Sequence, residues 1–137
     1  MERLEGIREL LIDTSSLIDF LRNNTNNKEL FDLIYLGNIK GYLSSITLFE
    51  LYLGCFRSNN PTAEIEKVNK IKSWFEIVEI SDQISFEAAK IISNLEKLGK
   101  PIEIRDLLIG ACAISKALPL LTQNKKHFQN IHNIKLI

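Results

Sequence analysis

The sequence predicts an α/β protein, a three-layer α/β/α sandwich with a mainly parallel sheet of about five strands, formed as one domain over residues 1–137. Short apolar runs alternate with longer amphipathic segments, which is the pattern of strands joined by helical crossovers. A length of 137 residues suits one ordinary domain, and a hydrophobic content of 45% can fill its core. Helical crossovers between parallel strands place helices on both faces of the sheet.

The predicted strands are short apolar runs bounded by polar or turn-forming residues. The first contains Leu10, Leu11 and Ile12 in succession, which indicates burial on both faces of a sheet. The expected strands are residues 9–13, 40–44, 76–80, 120–122 and 134–137.

The predicted helices have recognisable capping signals. Ser15 or Ser16 can cap the first helix, and Thr47 followed three residues later by Glu50 has the spacing of a capping box. The longest amphipathic helix begins at Ser81 and is ended by a Gly–Lys–Pro sequence. The expected helices run from Ser15 or Ser16 to Leu21 and over residues 28–36, 47–56, 62–74, 81–98, 104–118 and 124–131.

The charge distribution argues against a protein that coats nucleic acid through a wholly basic surface. Seventeen Lys and Arg residues balance seventeen Asp and Glu residues. Residues 107–137 nevertheless contain four lysines and no acidic residue, so they carry +4 and residues 1–106 carry −4. Such a tail attracts a phosphate-bearing ligand, although each lysine has the alternative interpretation of an ordinary solvated side chain.

The sequence predicts a soluble, cytoplasmic protein with no membrane segment. Its longest apolar runs are interrupted well before the ~18 residues of a membrane-spanning helix, and the N-terminus lacks a cationic segment followed by an apolar one. Cys55 and Cys112 lie far apart and form no Cys-x-x-Cys motif, so both are expected to be small core residues.

Three acidic residues stand where predicted strands end or helices begin: Asp13, Glu50 and Asp106. Their neighbours are apolar, and a carboxylate in apolar surroundings is usually paired, hydrogen-bonded or bound to a metal. Ligands of parallel sheets bind at the carboxyl ends of the strands, so the topology is expected to gather the acids at one edge. Oxygen-only ligands suit Mg²⁺ or Mn²⁺, which are commonly shared with a phosphate.

Other catalytic chemistries have little support in the sequence. Both histidines come late, and the chain contains no Gly-x-Ser-x-Gly elbow and no Gly-rich phosphate loop. Hydrolysis of a phosphodiester at a divalent metal needs no side-chain nucleophile, because the metal lowers the pKa of a bound water. A receiver-type signalling domain shares the alternating pattern but requires neighbouring acids after the first strand, where this chain has Asp13 followed by Thr-Ser-Ser.

Each acid also has a purely structural interpretation. Asp13 can cap the helix that follows it, and Glu50 can close the capping box with Thr47. Asp106 can form a solvated ion pair with Arg105 near a helix start, where the helix dipole favours an acid. The combination of all three at one predicted edge favours the metal site.

Four segments of the chain contain motifs in a fixed order: residues 11–17, 45–54, 99–102 leading into 106–111, and 121–128. These segments resemble the motifs of the PIN-domain family and, in its compact single-domain form, the VapC-type toxin ribonucleases of toxin-antitoxin pairs. The resemblance covers essentially the whole chain and keeps the family order. It implies a metal-dependent endoribonuclease with a three-layer α/β fold, an RNA substrate, an antitoxin partner and a homodimer.

The resemblance assigns Asp13, Glu50 and Asp106 to the family's acidic metal-binding triad. Asn124 stands where many relatives have a fourth acid, so it is a candidate metal ligand that adds no charge, and the choice between one and two metals stays open. The candidates for an auxiliary role are Thr14, Ser15, Glu103 and Thr122, and those for contact with RNA phosphate are Lys125, Lys126 and His127.

The alternative function is a catalytically weak or inactive PIN-fold module that binds another protein, which the missing fourth acid favours. The segments 28–36 and 51–56 carry more large apolar residues than a small monomer should expose. A partner is therefore predicted, and a basic side chain of such a partner could inhibit by competing with the metal for the acids.

Overall fold

The computed structural model describes residues 4–137 and contains, within them, a four-stranded sheet. Every strand pairing is parallel, and Leu11 pairs with Tyr42 on one side and Leu120 on the other. The predicted α/β class with a mainly parallel sheet is confirmed. The strands are β1 (Glu9–Ile12), β2 (Lys40–Ser44), β3 (Phe75–Val78) and β4 (Leu120–Leu121), in the order β3-β2-β1-β4.

Helices connect the strands and follow the sequence prediction closely. Ser81 caps the longest helix as expected, since its Oγ accepts a hydrogen bond from the Ile84 amide at 3.2 Å. The helix predicted to end at Leu118 ends earlier, because Ala117 has a φ of 53° and turns the chain toward β4. The helices are α1 (Thr14–Leu21), α2 (Lys28–Tyr35), α3 (Ser45–Phe56), α4 (Pro61–Lys72), α5 (Asp82–Lys97), α6 (Ile104–Ser115) and α7 (Lys125–Phe128).

The expected fifth strand, residues 134–137, is wrong as a full strand. Leu136 forms only an isolated parallel bridge with Leu120. The Leu120 amide donates to the Lys135 carbonyl, and the Ile137 amide donates to the Leu120 carbonyl, both at 2.9 Å. Because β4 itself has only two residues, the pairing stops before a regular ladder can develop.

Two predicted helix caps are also wrong. The first helix is not capped by Ser15 or Ser16. Its cap is Asp13, whose side chain accepts from the Thr14 amide, so the alternative interpretation of this acid as a cap is confirmed. The third helix is capped by Ser44, so Thr47 lies inside the helix and donates its amide to Ser44 Oγ at 3.1 Å. In both cases the strand passes directly into the helix, which moves the cap toward the end of the strand.

The sheet is buried on both faces, which explains the continuous apolar run of β1. Leu10 and Ile12 belong to a core with Phe31, whereas Leu11 belongs to the core on the opposite face with Ile109. All five side chains are fully buried. Burial of a side chain of this size stabilises the fold by roughly 1.5–3 kcal/mol, so the two cores fix the position of β1 between the helical layers.

The carboxyl ends of β1 and β4 lie side by side in the sheet, and the chain leaves them in different directions. Such a topological switch point forms a crevice where ligands of α/β proteins bind. Asp13 follows β1 and Thr122 follows β4 at this point. Among residues 4–137, no helix is long and apolar enough to cross a membrane.

Candidate active site

Asp13 joins the elements that meet at the switch point. It lies between β1 and α1, and its side chain is fully buried. Its Oδ1 accepts the Thr14 amide at 2.8 Å, while Oδ2 accepts the hydroxyls of Ser15 at 3.0 Å and Thr122 at 2.8 Å. The predicted auxiliary residues Thr14, Ser15 and Thr122 therefore contact Asp13 directly and fix the direction of its carboxylate.

Glu50 lies on the face of α3 that meets the start of α1. Its Oε1 accepts the Thr14 hydroxyl at 2.6 Å, and Thr14 Oγ1 lies 3.0 Å from Thr47 Oγ1. The predicted capping box between Glu50 and Thr47 is absent from the described hydrogen bonds, because Ser44 takes the capping role. Glu50 is thus directed to the switch point.

Asp106 lies in the first turn of α6 and is 2% exposed. Burial raises the pKa of its carboxyl, whereas the positive charge of Arg105 and a charged His127 lower it. His127 Nδ1 lies 3.3 Å from Asp106 Oδ2, so the end of α7 reaches the same cluster. His127 is a predicted contact for RNA phosphate, and its side chain is 53% exposed.

Arg105 lies between the acids, which the sequence did not predict. The sequence suggested a solvated ion pair with its neighbour Asp106. The pair is present, but the Asp106 side chain is buried and not solvated. The same guanidinium also contacts Glu50 through Nε at 2.8 Å and Asp13 through Nη2 at 3.1 Å. Hydrogen bonding to Glu50 is the main cause that raises the pKa of Arg105 far above its usual value.

The remaining candidates border the acids. Glu103 is exposed at the N-cap of α6, directly before the helix, which begins at Ile104 as predicted. Glu103 nevertheless lines a cleft of about 190 Å³ together with Asp106, Lys126 and His127. Two candidate phosphate contacts thus share a cleft with one of the acids.

Asn124 is half-buried and is connected to Asp13 through Thr122. Its backbone amide donates to Thr122 Oγ1 at 3.0 Å, and that hydroxyl donates to Asp13. Asn124 also lines a second cleft, of about 620 Å³, with Lys125, Lys126 and His127. It therefore borders the acids and the basic residues of α7.

The donor set fits a hard divalent cation by its chemistry. Asp13, Glu50 and Asp106 offer carboxylate oxygens, and the first and last of these side chains are buried. Within residues 4–137, however, no three His, Cys, Asp or Glu side chains form a preformed metal site. The acids converge on the nitrogen atoms of Arg105, which lies between them.

The family of the chain follows from the match of residues 10–133 to the PIN-domain model. The chain belongs to the PIN-domain family. Ribonuclease VapC1 of Methanocaldococcus jannaschii is 35% identical over 128 residues, which cover 93% of this chain and 85% of the relative. Ribonuclease VapC1 of Rickettsia felis is 33% identical over 131 residues, which cover 93% of this chain and 94% of the relative.

A solved structure of DNA-bound VapBC from Salmonella typhimurium has the same fold. Its matching chain has a TM-score of 0.86 and 26% identity, and the match covers 96% of this chain and 97% of that chain. The sequence-based assignment to the PIN domain and its VapC-type relatives is confirmed.

The site of this PIN domain combines an acidic centre with a basic border. Three acids and Arg105 form the centre, and the lysines of α7 stand beside it. Such a centre can hold a cation, and such a border can attract the phosphates of a nucleic acid. Sequence reasoning found the acids and the border but missed the bridging role of Arg105. Its position directly before Asp106, one of the predicted site acids, was the available signal.

Proposed function

We propose that this PIN domain is an endoribonuclease that hydrolyses RNA phosphodiester bonds and is the toxin of a toxin-antitoxin pair, acting in the cytoplasm. The observation that carries the proposal is the convergence of Asp13, Glu50 and Asp106 at the carboxyl edge of the sheet. The ribonuclease names of relatives that match over nearly the whole chain support the same function.

The proposed cofactor is Mg²⁺ or Mn²⁺, held by Asp13, Glu50 and Asp106, with the Asn124 amide oxygen as a further ligand. When bound, the cation lowers the pKa of a water and stabilises charge on the phosphoryl oxygens. Ser15 and Thr122 orient Asp13 through hydroxyl hydrogen bonds, and Thr14 orients Glu50. These contacts hold the carboxylates in place before substrate arrives.

The basic residues of α7 are proposed to bind the RNA backbone. Lys125, Lys126 and His127 are exposed and line the cleft beside Thr122 and Asn124. Phosphate contacts of this kind position a nucleic acid without reading its sequence. We therefore assign them to binding rather than to the choice of cleavage site.

The test of the enzymatic function uses the purified full chain and an unstructured RNA. Cleavage should require added Mg²⁺ or Mn²⁺ and should stop when excess chelator is present. Equal cleavage in chelator would contradict a metal mechanism. Stable folded protein that never cuts RNA with either cation would favour the inactive interaction module, for which the Asn124 position and the Arg105 bridge are the supporting observations.

The proposed antitoxin contact is an apolar groove beside α1, α2 and α4, of about 440 Å³. The apolar side chains Phe20, Leu21, Ile71 and Trp74 line it, and lysines of α2 and α4 stand at its edge. We propose that an amphipathic antitoxin segment with acidic flanks lies there. The sequence had pointed to residues 28–36 and 51–56, and of these Lys28 lines the groove.

Leu21→Glu tests the groove, with Leu98→Glu as its matched control. Leu21 lines the groove, whereas Leu98 is an exposed leucine at the end of α5. Leu21→Glu should weaken co-purification with a co-expressed antitoxin at least about tenfold, since a charge would be buried in an apolar contact. Equal binding by both variants would place the antitoxin elsewhere. Size-exclusion chromatography of the same samples tests the predicted homodimer.

A further inference from the structure

The side chain of Arg105 is shared among all three acids of the site. Nε and Nη2 donate to the two carboxylate oxygens of Glu50 at 2.8 and 2.9 Å. Nη2 also donates to Asp13 Oδ1 at 3.1 Å, and Nη1 donates to Asp106 Oδ1. All three nitrogens of the guanidinium fork are therefore engaged by the carboxylates.

A divalent cation needs the same oxygen atoms. Mg²⁺ binds carboxylate oxygens at about 2.0–2.1 Å and demands nearly octahedral geometry, so its ligands must converge on one point. In this structure the acids instead converge on several nitrogens of a planar group, and among residues 4–137 no acidic cluster is arranged as a metal site. Arg105 and a cation cannot both occupy the centre.

Charge explains why Arg105 stabilises the site without a cation. When ionised, Asp13, Glu50 and Asp106 carry −3, and Arg105 adds +1, so the cluster carries −2. Asp13 and Asp106 are almost fully buried, and like charges in such surroundings repel strongly. The guanidinium reduces this repulsion and keeps the carboxylates at one place.

The position of Arg105 also allows its side chain to move away from the acids toward solvent. It lies in the first turn of α6, and its side chain is 27% exposed, against 0% for Asp13. A rotation of the flexible side chain toward solvent releases the acids without movement of the helix. The neighbouring cleft contains Lys126 and His127 beside Glu103 and Asp106, so a phosphate would find two basic side chains there.

We propose that Arg105 is a built-in competitor of the divalent cation, which binds Asp13, Glu50 and Asp106 when the cation is absent and swings out when the cation binds. This inference rests on the metal centre of the proposed function. Exchange of Arg105 for a divalent cation changes the charge of the cluster from −2 to −1. The affinity for the cation is then the intrinsic affinity reduced by the cost of displacing Arg105.

The first test is calorimetric titration of the full chain with Mn²⁺ in the absence of RNA. Arg105→Gln removes the competing charge, and Arg57→Gln removes an equal charge at an exposed residue in the C-cap of α3. Arg105→Gln should bind Mn²⁺ at least about tenfold more tightly than wild type, a difference of about 1.4 kcal/mol. Arg57→Gln should match wild type.

The outcomes distinguish failure of the Arg105 competition from failure of the proposed metal centre. Equal or weaker binding by Arg105→Gln, with clear binding by wild type, overturns the competition and leaves the metal centre intact. No Mn²⁺ binding by wild type or either variant overturns both the competition and the metal centre.

A second measurement on the wild-type chain keeps the inference testable if Arg105→Gln does not fold. The Arg105 Nε–H group, hydrogen-bonded to Glu50, gives a side-chain NMR signal that Arg105→Lys lacks and thereby assigns. Saturating Mg²⁺ should move this signal to the position and water-exchange rate of a free arginine. An unchanged signal at saturating Mg²⁺ shows that Arg105 stays in place and overturns the inference.

Discussion

The ion pairs around Arg105 and those on the outer surface use the same chemical groups in different surroundings. Where Arg105 meets them, the side chains of Asp13 and Asp106 are 0% and 3% exposed. In the surface pairs every partner is at least 42% exposed. These surface pairs are Lys28–Asp32, Lys40–Glu76 and Lys67–Glu64.

The comparison shows that burial, not the number of ion pairs, distinguishes a candidate site from an ordinary surface. Exposed pairs contribute about 0–1 kcal/mol, because water screens them and two long side chains lose freedom. Buried acids cost the fold several kcal/mol unless partners compensate them, as the raised pKa of Asp106 illustrates. Such a cluster is poorly explained by stability and points to a functional role.

The largest expected effect is on catalysis. Asp13→Asn or Asp106→Asn should lower the rate of metal-dependent RNA cleavage at least about 100-fold, because each removes a charge that holds the cation. Both amides keep the shape of the carboxylate, so circular dichroism should show an intact fold. Asp32→Asn, which breaks an exposed pair, is the control and should cleave at the wild-type rate.

The next effect is on stability and concerns the hydroxyl that joins β4 to Asp13. Thr122→Val keeps the shape of a residue that is 4% exposed but removes the donor to Asp13 and the acceptor for the Asn124 amide. Unsatisfied buried groups of this kind cost about 1–3 kcal/mol. Urea unfolding should show this loss, and a change below about 0.5 kcal/mol would mean that water replaces the hydroxyl.

A smaller effect is expected for Asn124→Asp on cation binding. An additional carboxylate near the acids should tighten Mn²⁺ binding about tenfold in the absence of RNA. It should also slow cleavage by repelling the phosphate. If calorimetry gives equal affinity and stoichiometry for both proteins, Asn124 lies outside the ligand shell, and the structural role seen in its contact with Thr122 is its main one.

The smallest expected effect is the change in stability when an exposed ion pair is broken. Lys28→Gln removes the partner of Asp32, 2.8 Å away, from a pair in which both side chains are more than half exposed. The free energy of unfolding should change by no more than about 0.5 kcal/mol, and the change should disappear in high salt. A loss of unfolding free energy as large as that expected for Thr122→Val would show that the exposed ion pairs stabilise the fold as much as the buried contacts of the site.

Two features depend on neighbouring segments and differ from the sequence prediction. The caps Asp13 and Ser44 lie two or three residues before the predicted capping residues, because a strand that passes directly into a helix shows no separate loop residue. The strand expected at residues 134–137 has the right composition, but a two-residue neighbour gives it too little to pair with.

By itself, the sequence determined the α/β class, the order of elements and the identity of the acids. These depend on local patterns, such as the apolar run before Asp13 and the turn signals around the helices. These local patterns are the same in any compact arrangement of the chain, so they can be recognised from the sequence alone.

Only the tertiary structure decided how the acids are paired. Asp13 meets Thr122 across a separation of 109 residues and Arg105 across 92, and Glu50 meets Arg105 across 55. No local sequence pattern encodes these contacts, because they result from the packing of α1, α3 and α6 around the end of one strand. The direction of a single guanidinium is fixed only when all its partners are in place. The sequence therefore predicted the ion pair of Arg105 with its neighbour Asp106, but not its contacts with Asp13 and Glu50.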